Sequence, residues 1–213
     1  SGASSGVCAK YLARKDAQTL LLVGAGFQNQ KQLEAIYAAC PQLKYFYIVD
    51  VVIAAAERFA EQMGERLQIT ITPLTKIADC DRTPDITVND TSSPKPVMDL
   101  SVAGPGSLHI CVGGLDHPEL YRKADKIICD SWKQVRHRGS CYLALDAQEG
   151  KVSDDDIYAQ EIGEIICGDK IGRANDQEFI YYKPVGMGIL DIAICTRIYR
   201  KAMEQNVGTW LDY

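Results

Sequence analysis

The sequence of this 213-residue chain predicts an α/β fold, in which a doubly wound, mostly parallel sheet carries flanking helices. Three observations predict it. Short apolar runs that suit strands alternate with longer amphipathic stretches that suit helices, a pair of glycines follows the first run, and a carboxylate follows the second. This alternation favours parallel strands joined by helical crossovers.

The first of these units gives the clearest signal. The apolar run Thr19–Val23 is too short for a helix and predicts a strand, whereas residues 31–39 predict a helix and 45–49 a second strand. Gly24 and Gly26 stand between the first strand and the helix. A strand, a glycine turn, a helix and a second strand in this order are typical of a dinucleotide-binding unit of the Rossmann type.

Each part of this unit has a chemical role. Gly24 lets the chain leave the strand in a tight turn, and Gly26 lets the backbone approach a pyrophosphate closely. Asp50 lies at the spacing expected of a carboxylate that accepts hydrogen bonds from the ribose hydroxyls of adenosine. Asn29 departs from the pattern, since a third glycine or alanine usually stands there. A tight turn that binds nothing is the alternative interpretation.

The same carboxylate bears on the choice of cofactor. Asp50 repels a 2′-phosphate, and Val51 and Val52 follow it where NADP enzymes often carry an arginine. The sequence therefore favours NAD as the cofactor over NADP.

The remaining elements follow from apolar periodicity and from glycine and proline punctuation. Further strands are predicted over 68–72, 85–89, 107–112, 126–129 and 178–182. Helices are predicted over 4–14, 53–63, 117–124, 157–167 and 187–203. Apolar residues cover more than one narrow face of the last helix, which indicates that another layer of protein covers it.

The segment 89–96 follows the fourth predicted strand, at the edge where parallel sheets bind ligands. Thr91 and Ser92 offer hydroxyl groups there that can donate to a cofactor. A polar loop bounded by proline is the alternative, because serine, threonine and proline also favour simple turns.

Composition excludes several classes of function. A net charge of −5 and scattered basic residues do not suit a nucleic-acid-binding surface. No apolar stretch approaches the roughly 20 residues that cross a bilayer, so we expect no membrane partner and a cytoplasmic location. The eight cysteines form no Cys-x-x-Cys pair and the histidines are isolated, so no metal site is predicted. Most cysteines stand in apolar contexts and are expected to be buried thiols.

Several motifs together resemble the ornithine cyclodeaminase/mu-crystallin family. The motifs run along essentially the whole chain and comprise 1–6 with 10–14, 24–28 with Gln32, 161–168, 172–173 and 185–191. The resemblance implies hydride transfer between a nicotinamide and an amine or imine carbon. It also implies a further segment before Ser1 that supplies substrate-binding residues, and a homodimer when the protein is complete.

The resemblance also assigns roles to individual residues. It places Gly24, Gly26, Phe27 and Gln28 at the phosphate turn and Asp50 on the ribose. It places Thr91 and Ser92 under the nicotinamide side, with Ile110, Cys111, Val112 and Gly113 lining the cofactor as the fifth strand ends. Val185 is expected to face the substrate. Pro184 stands where many members carry a serine that touches the nicotinamide, and it can offer only its carbonyl.

The largest departure from the family concerns catalysis. Cyclodeaminases of this family carry an aspartate, followed four residues later by a lysine, in a loop after the fifth strand. Here that loop is shortened, and Asp116 is the remaining candidate for the acid/base that moves the amine proton. Asp116 also precedes His-Pro-Glu, so it suits a helix N-cap equally well. The lysine has no clear counterpart.

These observations give a domain division and a function. Residues 1–17 are expected to form a connecting helix, 18–182 the NAD-binding Rossmann domain, and 183–213 a helical segment of a substrate and dimerisation lobe. The predicted function is that of an NAD(H)-dependent oxidoreductase acting on the C–N bond of an amino or imino acid. The dehydrogenase, ketimine reductase, cyclodeaminase (lyase) and siderophore-pathway cleavage types all stay open. A non-catalytic nicotinamide-binding protein of the mu-crystallin type is the alternative.

Overall fold

The computed structural model describes residues 2–138, 141–152 and 160–211. The strands in this part of the chain are β1 (Thr19–Val23), β2 (Tyr45–Val49), β3 (Ile71–Leu74), β4 (Ile86–Asn89), β5 (Pro96–Met98), β6 (Leu108–Cys111), β7 (Leu115–Asp116), β8 (Lys126–Cys129), β9 (Gln160–Glu161) and β10 (Ile180–Lys183). The α-helices are α1 (Gly2–Leu12), α2 (Phe27–Ala39), α3 (Ile53–Leu67), α4 (Glu119–Lys123), α5 (Trp132–Arg136), α6 (Tyr142–Gln148), α7 (Ile162–Cys167) and α8 (Gly188–Glu204). Short 3₁₀ turns lie at Ile77–Asp79 and Leu100–Val102.

The main sheet confirms the predicted doubly wound, parallel architecture. Within the described ranges it has eight strands in the order β3-β2-β1-β4-β6-β10-β8-β9, and every pairing in it is parallel. β1 pairs with β2 on one side and with β4 on the other. The strand order therefore reverses between β1 and β4, which opens a crevice at the carboxyl ends of these strands.

The core is divided between the two faces of this sheet. Leu20, Leu22 and Ile48 belong to the apolar cluster that includes residues of α1, α2 and α3. Leu21 and Tyr47 belong to the cluster on the other face, with residues of α4 and α6. All five residues of β1 are buried, as expected for a central parallel strand covered on both sides.

Several element boundaries differ from the prediction: α2, for example, begins at Phe27 and not at residue 31, and at two places the reason is clear. α3 continues to Leu67 and ends at Gln68, whose φ of 57° is left-handed, so β3 begins only at Ile71. The predicted helix over 157–167 begins at Ile162, where Glu161 and Glu164 form a capping box, and residues 160–161 pair with β8 instead. Residues 157–159 of that prediction lie outside the described residues.

Several short elements were not predicted. β5 and β7 form a small parallel sheet of their own, and α5 and α6 follow β8 where the sequence pattern is irregular. Five cysteines are buried as expected, whereas Cys167 and Cys195 are exposed.

α8 carries the exposed apolar surface that its sequence indicates. None of its residues is buried, and Ile189, Ile192 and Ile198 are 62–70% exposed. In the part of the chain that is described, no helix has both the length and the apolar character needed to span a membrane.

Candidate functional site

The glycine turn lies where β1 ends and α2 begins. Gly24 has a φ of 99°, and a Cβ on it would lie 2.5 Å from the Asp90 carbonyl oxygen, so only glycine fits. Gly26 is the N-cap of α2, and no side chain caps this end of the helix. A Cβ on Gly26 would meet no protein atom within 4 Å. The amide groups at the start of α2 therefore face open space, where an anionic group can bind.

The hydrogen bonds of Asn29 explain why an asparagine stands where the pattern usually has glycine or alanine. Its buried Nδ2 donates to the carbonyl oxygens of Val23 at 2.9 Å and of Gly24 at 2.6 Å. The side chain thus holds the end of β1 against α2 by hydrogen bonds, where the usual glycine or alanine would allow close packing.

Asp50 joins the end of β2 to the glycine turn. Its carboxylate accepts the amide N–H of Ala25 at 2.8 Å and that of Val52 at 2.9 Å. Each oxygen keeps lone-pair capacity for a further donor. Phe27 and Gln28 begin α2 and are exposed beside this turn. The five residues predicted for the phosphate and ribose contacts therefore lie at one edge of the sheet.

A cavity of about 530 Å³ lies next to this edge, at the ends of β4, β6 and β10. Thr91, Ser92, Val112 and Gly113, all predicted cofactor contacts, line it. Its other described lining residues are Ser93, Pro94, Gly114, Leu115, Arg138, Tyr142, Leu145 and Lys183.

Four predicted contacts lie elsewhere. Ile110 and Cys111 are buried in the two opposite core clusters and do not line the cavity, because both faces of β6 are covered. Pro184 is buried after β10. Val185 is partly buried, and its carbonyl oxygen accepts a hydrogen bond from Arg138 Nη1 at 3.0 Å.

Asp116 is neither a helix cap nor a cavity residue. The N-cap of α4 is Pro118, and Asp116 lies in β7, where pairing with β5 turns its side chain into the protein. Its carboxylate is 2% exposed and meets His109 Nε2 at 2.8 Å. Burial raises the pKa of this carboxyl, but the charge and hydrogen bond of His109, with Cys111 and Asn89, outweigh it and hold the pKa well below its usual value. The N-cap interpretation is therefore wrong, and the predicted proton shuttle lies away from the cavity wall.

Sequence reasoning missed Lys183, the last residue of β10. It is 4% exposed, lines the cavity, and its Nζ donates to the carbonyl oxygen of Cys111 at 3.0 Å and contacts its Sγ at 3.3 Å. Burial raises the pKa of the Cys111 thiol to about 12, so this sulfur is uncharged at neutral pH. The sequence did offer a signal for this residue, because a lysine at the end of an otherwise apolar strand is unusual and lies at the edge of the sheet that binds ligands.

The charged side chains that line the cavity are all positive. Lys183 and Arg138 are cations, and the described lining residues include no carboxylate. No carboxylate in the described ranges lies within ion-pair distance of Lys183. An anionic ligand would therefore match this wall. Among the same residues, no group of three or more histidine, cysteine or acidic side chains is placed to hold a metal ion.

Known proteins with similar sequences include two dehydrogenases. The chain is 32% identical to an alanine dehydrogenase of Archaeoglobus fulgidus and 28% identical to an N-((2S)-2-amino-2-carboxyethyl)-L-glutamate dehydrogenase of Staphylococcus aureus. All of the chain is matched in both cases, but only 66% and 63% of those proteins. The chain thus spans just under two thirds of the length of these relatives.

A solved structure agrees closely with the fold. The Thermococcus litoralis Delta(1)-pyrroline-2-carboxylate reductase, in complex with NADH and L-proline, superposes with a TM-score of 0.89 at 30% identity. The match covers 99% of this chain and 66% of that one. The profile of the ornithine cyclodeaminase/mu-crystallin family matches residues 1–206, so the chain belongs to the ornithine cyclodeaminase/mu-crystallin family.

Proposed function

We propose that this chain is the dinucleotide-binding part of an NAD(H)-dependent oxidoreductase that acts on the C–N bond of an amino or imino acid. One observation carries the proposal. The uncapped start of α2, the open space in front of Gly26 and the Asp50 carboxylate meet at the crevice where the strand order reverses. That combination suits a pyrophosphate and an adenosine ribose.

The residues present fit the cofactor. The amides of Phe27 and Gln28 would hold the pyrophosphate, and Asp50 would accept the ribose hydroxyls. Thr91, Ser92 and Gly113 would bound the nicotinamide side of the cavity. When bound, NAD(H) supplies or accepts the hydride. The reductase with NADH and L-proline is a family member that supports this choice.

Charge complementarity supports the substrate class. Amino and imino acids carry a carboxylate, and Lys183 with Arg138 offers it two cations on the cavity wall. Lys183 is held in place by the Cys111 carbonyl oxygen, so it would orient the acid rather than simply attract it. The names of the two curated relatives, both dehydrogenases of amino-acid compounds, agree with this class.

We propose further that residues 183–213 belong to a substrate and dimerisation lobe. The exposed isoleucines of α8 support this, because an apolar face of that kind is normally covered by another layer. A second subunit of a homodimer is the proposed cover. The division into residues 1–17, 18–182 and 183–213 and a cytoplasmic location stay predictions.

A binding protein of the mu-crystallin type is the second candidate. One observation favours it: the described cavity lining contains no carboxylate that could move a proton, since Asp116 lies in the interior. In that case the chain would bind the nicotinamide dinucleotide without turnover.

The first test is calorimetric titration of the chain with NADH and with NADPH. We expect NADH to bind more tightly, and Asp50→Ala to weaken NADH binding and reduce the discrimination against NADPH. Glu57→Gln, at an exposed position of α3, is the matched control. Absence of binding by either cofactor would refute the proposal. If NADH binds, an assay for reduction of an imino acid by NADH decides between the two candidates: turnover indicates the oxidoreductase, and binding without turnover indicates the binding protein.

A further inference from the structure

A chain of buried polar side chains runs beneath the floor of the cavity. Thr87 Oγ1 lies 2.6 Å from His109 Nδ1, and His109 Nε2 lies 2.8 Å from Asp116 Oδ2. Asn89 then connects Asp116 to Thr91 on the cavity wall. Thr87, His109 and Asn89 are fully buried, so the hydrogen bonds from Thr87 to Asn89 form away from solvent, and the last one, from Thr91, is partly buried.

The ionised carboxylate of Asp116 sets the direction of these hydrogen bonds. A carboxylate can only accept, so each of its partners must donate. Oδ2 accepts from His109 Nε2 and from the Tyr181 hydroxyl at 3.1 Å, and Oδ1 accepts from Asn89 Nδ2 at 2.6 Å. Asp116 therefore fixes which end of the Asn89 amide faces it.

The fixed orientation of the Asn89 amide in turn determines which of its atoms faces Thr91. Its Nδ2 also donates to the Leu115 carbonyl oxygen at 3.3 Å, so both amide hydrogens have acceptors. Turning the amide over would put its oxygen against a carboxylate and a carbonyl, which is unfavourable. Asn89 Oδ1 is consequently the atom that faces Thr91, and it accepts the Thr91 hydroxyl hydrogen at 3.2 Å.

Thr91 thus has its only hydroxyl hydrogen directed away from the cavity. What the oxygen can offer a ligand is lone pairs. Gly114 restricts the position further, because a Cβ on Gly114 would lie 2.3 Å from Thr91 Oγ1. The backbone of Gly114 therefore packs against the hydroxyl on one side.

We infer that Asp116 is a positioning residue which, through Asn89, makes Thr91 Oγ1 a hydrogen-bond acceptor for the carboxamide NH₂ of the nicotinamide. The inference rests on the proposed function. The carboxamide is the one N–H donor of the nicotinamide ring, and the ends of β4 and β6 border the half of the crevice opposite Asp50, where that ring would lie. Accepting this hydrogen bond would set which face of the ring is presented to the substrate.

The test compares NADH with reduced 3-acetylpyridine adenine dinucleotide, in which a methyl group replaces the NH₂. Wild type is expected to prefer NADH by about fivefold in Kd, the usual worth of one hydrogen bond. Thr91→Val, which replaces the hydroxyl with a methyl group, is expected to bring the ratio of the two Kd values close to one. Thr91→Ser keeps the hydroxyl and is expected to keep the preference.

Asp116→Asn extends the test to the positioning residue. If it folds, the Asn89 amide loses its fixed direction and the preference for NADH is expected to fall toward that of Thr91→Val. A purely structural role would weaken both cofactors equally and leave their ratio unchanged. The Thr91 pair decides the matter on its own if Asp116→Asn does not fold.

Three outcomes would overturn the inference. If wild type binds NADH but Thr91→Val keeps the wild-type ratio, the proposed function stands and the carboxamide contact is refuted. In a second arm, the NADH-saturated chain is titrated with L-alanine and with L-lactate. If Thr91→Val changes the ratio of the Kd values for L-alanine and L-lactate but not the ratio for the two cofactors, Thr91 Oγ1 accepts from a substrate amine, and the carboxamide assignment is refuted. Absence of NADH binding by wild type would refute both proposals.

Discussion

His109 and Asp116 form a hydrogen-bonded pair in the interior, with Nε2 2.8 Å from Oδ2 and both side chains almost completely shielded from solvent. The pair connects β6 with β7, two elements that are separated by the tight turn at Gly113 and Gly114. The residue that the sequence offers as a proton shuttle is therefore an internal anchor of the site.

Asp116→Asn is expected to destabilise the fold. The substitution removes the charge that three donors face and places an amide N–H against one of them, and losing a hydrogen bond to a buried charged group costs about 2 kcal/mol of unfolding free energy. Urea unfolding followed by circular dichroism measures the loss. Asp16→Asn, which removes the charge of an exposed carboxylate paired with the half-buried Arg14, serves as control and should cost about 1 kcal/mol or less. Equal losses in the two variants would contradict the role of Asp116 as an anchor.

Gly26→Ala is expected to separate binding from folding. Its φ of −83° is open to alanine and the added Cβ meets no protein atom within 4 Å, so the unfolding free energy should hardly change. NADH affinity should fall about tenfold or more, because the methyl group would occupy the space of the pyrophosphate. Calorimetry measures both cofactor affinity and stoichiometry.

Two glycines provide the controls for that measurement. Gly163→Ala, in α7 with equally open surroundings, should leave NADH binding unchanged. Gly24→Ala should instead destabilise the fold, since its φ is 99° and the Asp90 carbonyl oxygen is 2.5 Å from the new Cβ. Normal NADH affinity in Gly26→Ala would contradict a pyrophosphate at this turn.

Asp90 gives a prediction about pH. Burial raises the pKa of its carboxyl, and the hydrogen bond from Gln32 offsets only part of that rise. The folded chain therefore holds this proton more tightly than the unfolded chain. Stability from this group is complete below about pH 4, the unfolded value, and is lost as the pH rises through the folded pKa.

Asp90→Asn removes that titration while keeping an acceptor for Gln32. Its melting temperature relative to wild type should rise between pH 4 and pH 7 in thermal unfolding experiments. Asp16→Asn, at an exposed carboxylate, should show no comparable trend. A difference between Asp90→Asn and wild type that is constant across this range would contradict the prediction.

Lys183→Met tests the cation on the cavity wall. Burial lowers the pKa of the Lys183 ammonium, but attraction from Cys111 and Asp116 outweighs it and leaves the pKa raised, so the variant is expected to lose a modest part of its stability and remain folded. Binding of L-proline to the NADH-saturated chain should weaken about tenfold or more with the loss of a charged hydrogen bond. Lys133→Met, at an exposed position of α5, is the matched control. Unchanged L-proline binding would exclude Lys183 from recognition of the acid.

The sequence by itself determined the parts of this protein whose signals are local. The apolar run of β1, the glycine turn after it and Asp50 after β2 lie within one continuous segment, and the structure joins them as their spacing predicts. Even the departure at Asn29 was visible, although its hydrogen bonds to Val23 and Gly24 were not.

Only the tertiary structure decided the roles of Asp116 and Lys183. Asp116 reads as a helix cap in its own segment, but β5, about twenty residues earlier in the chain, pairs with β7 and turns the carboxylate toward His109. Lys183 reaches the cavity because β10, near the end of the chain, inserts between β6 and β8. Neighbours that are distant in sequence leave no periodic signal, so burial and partners of these charges follow from the packing of the sheet and not from the local pattern.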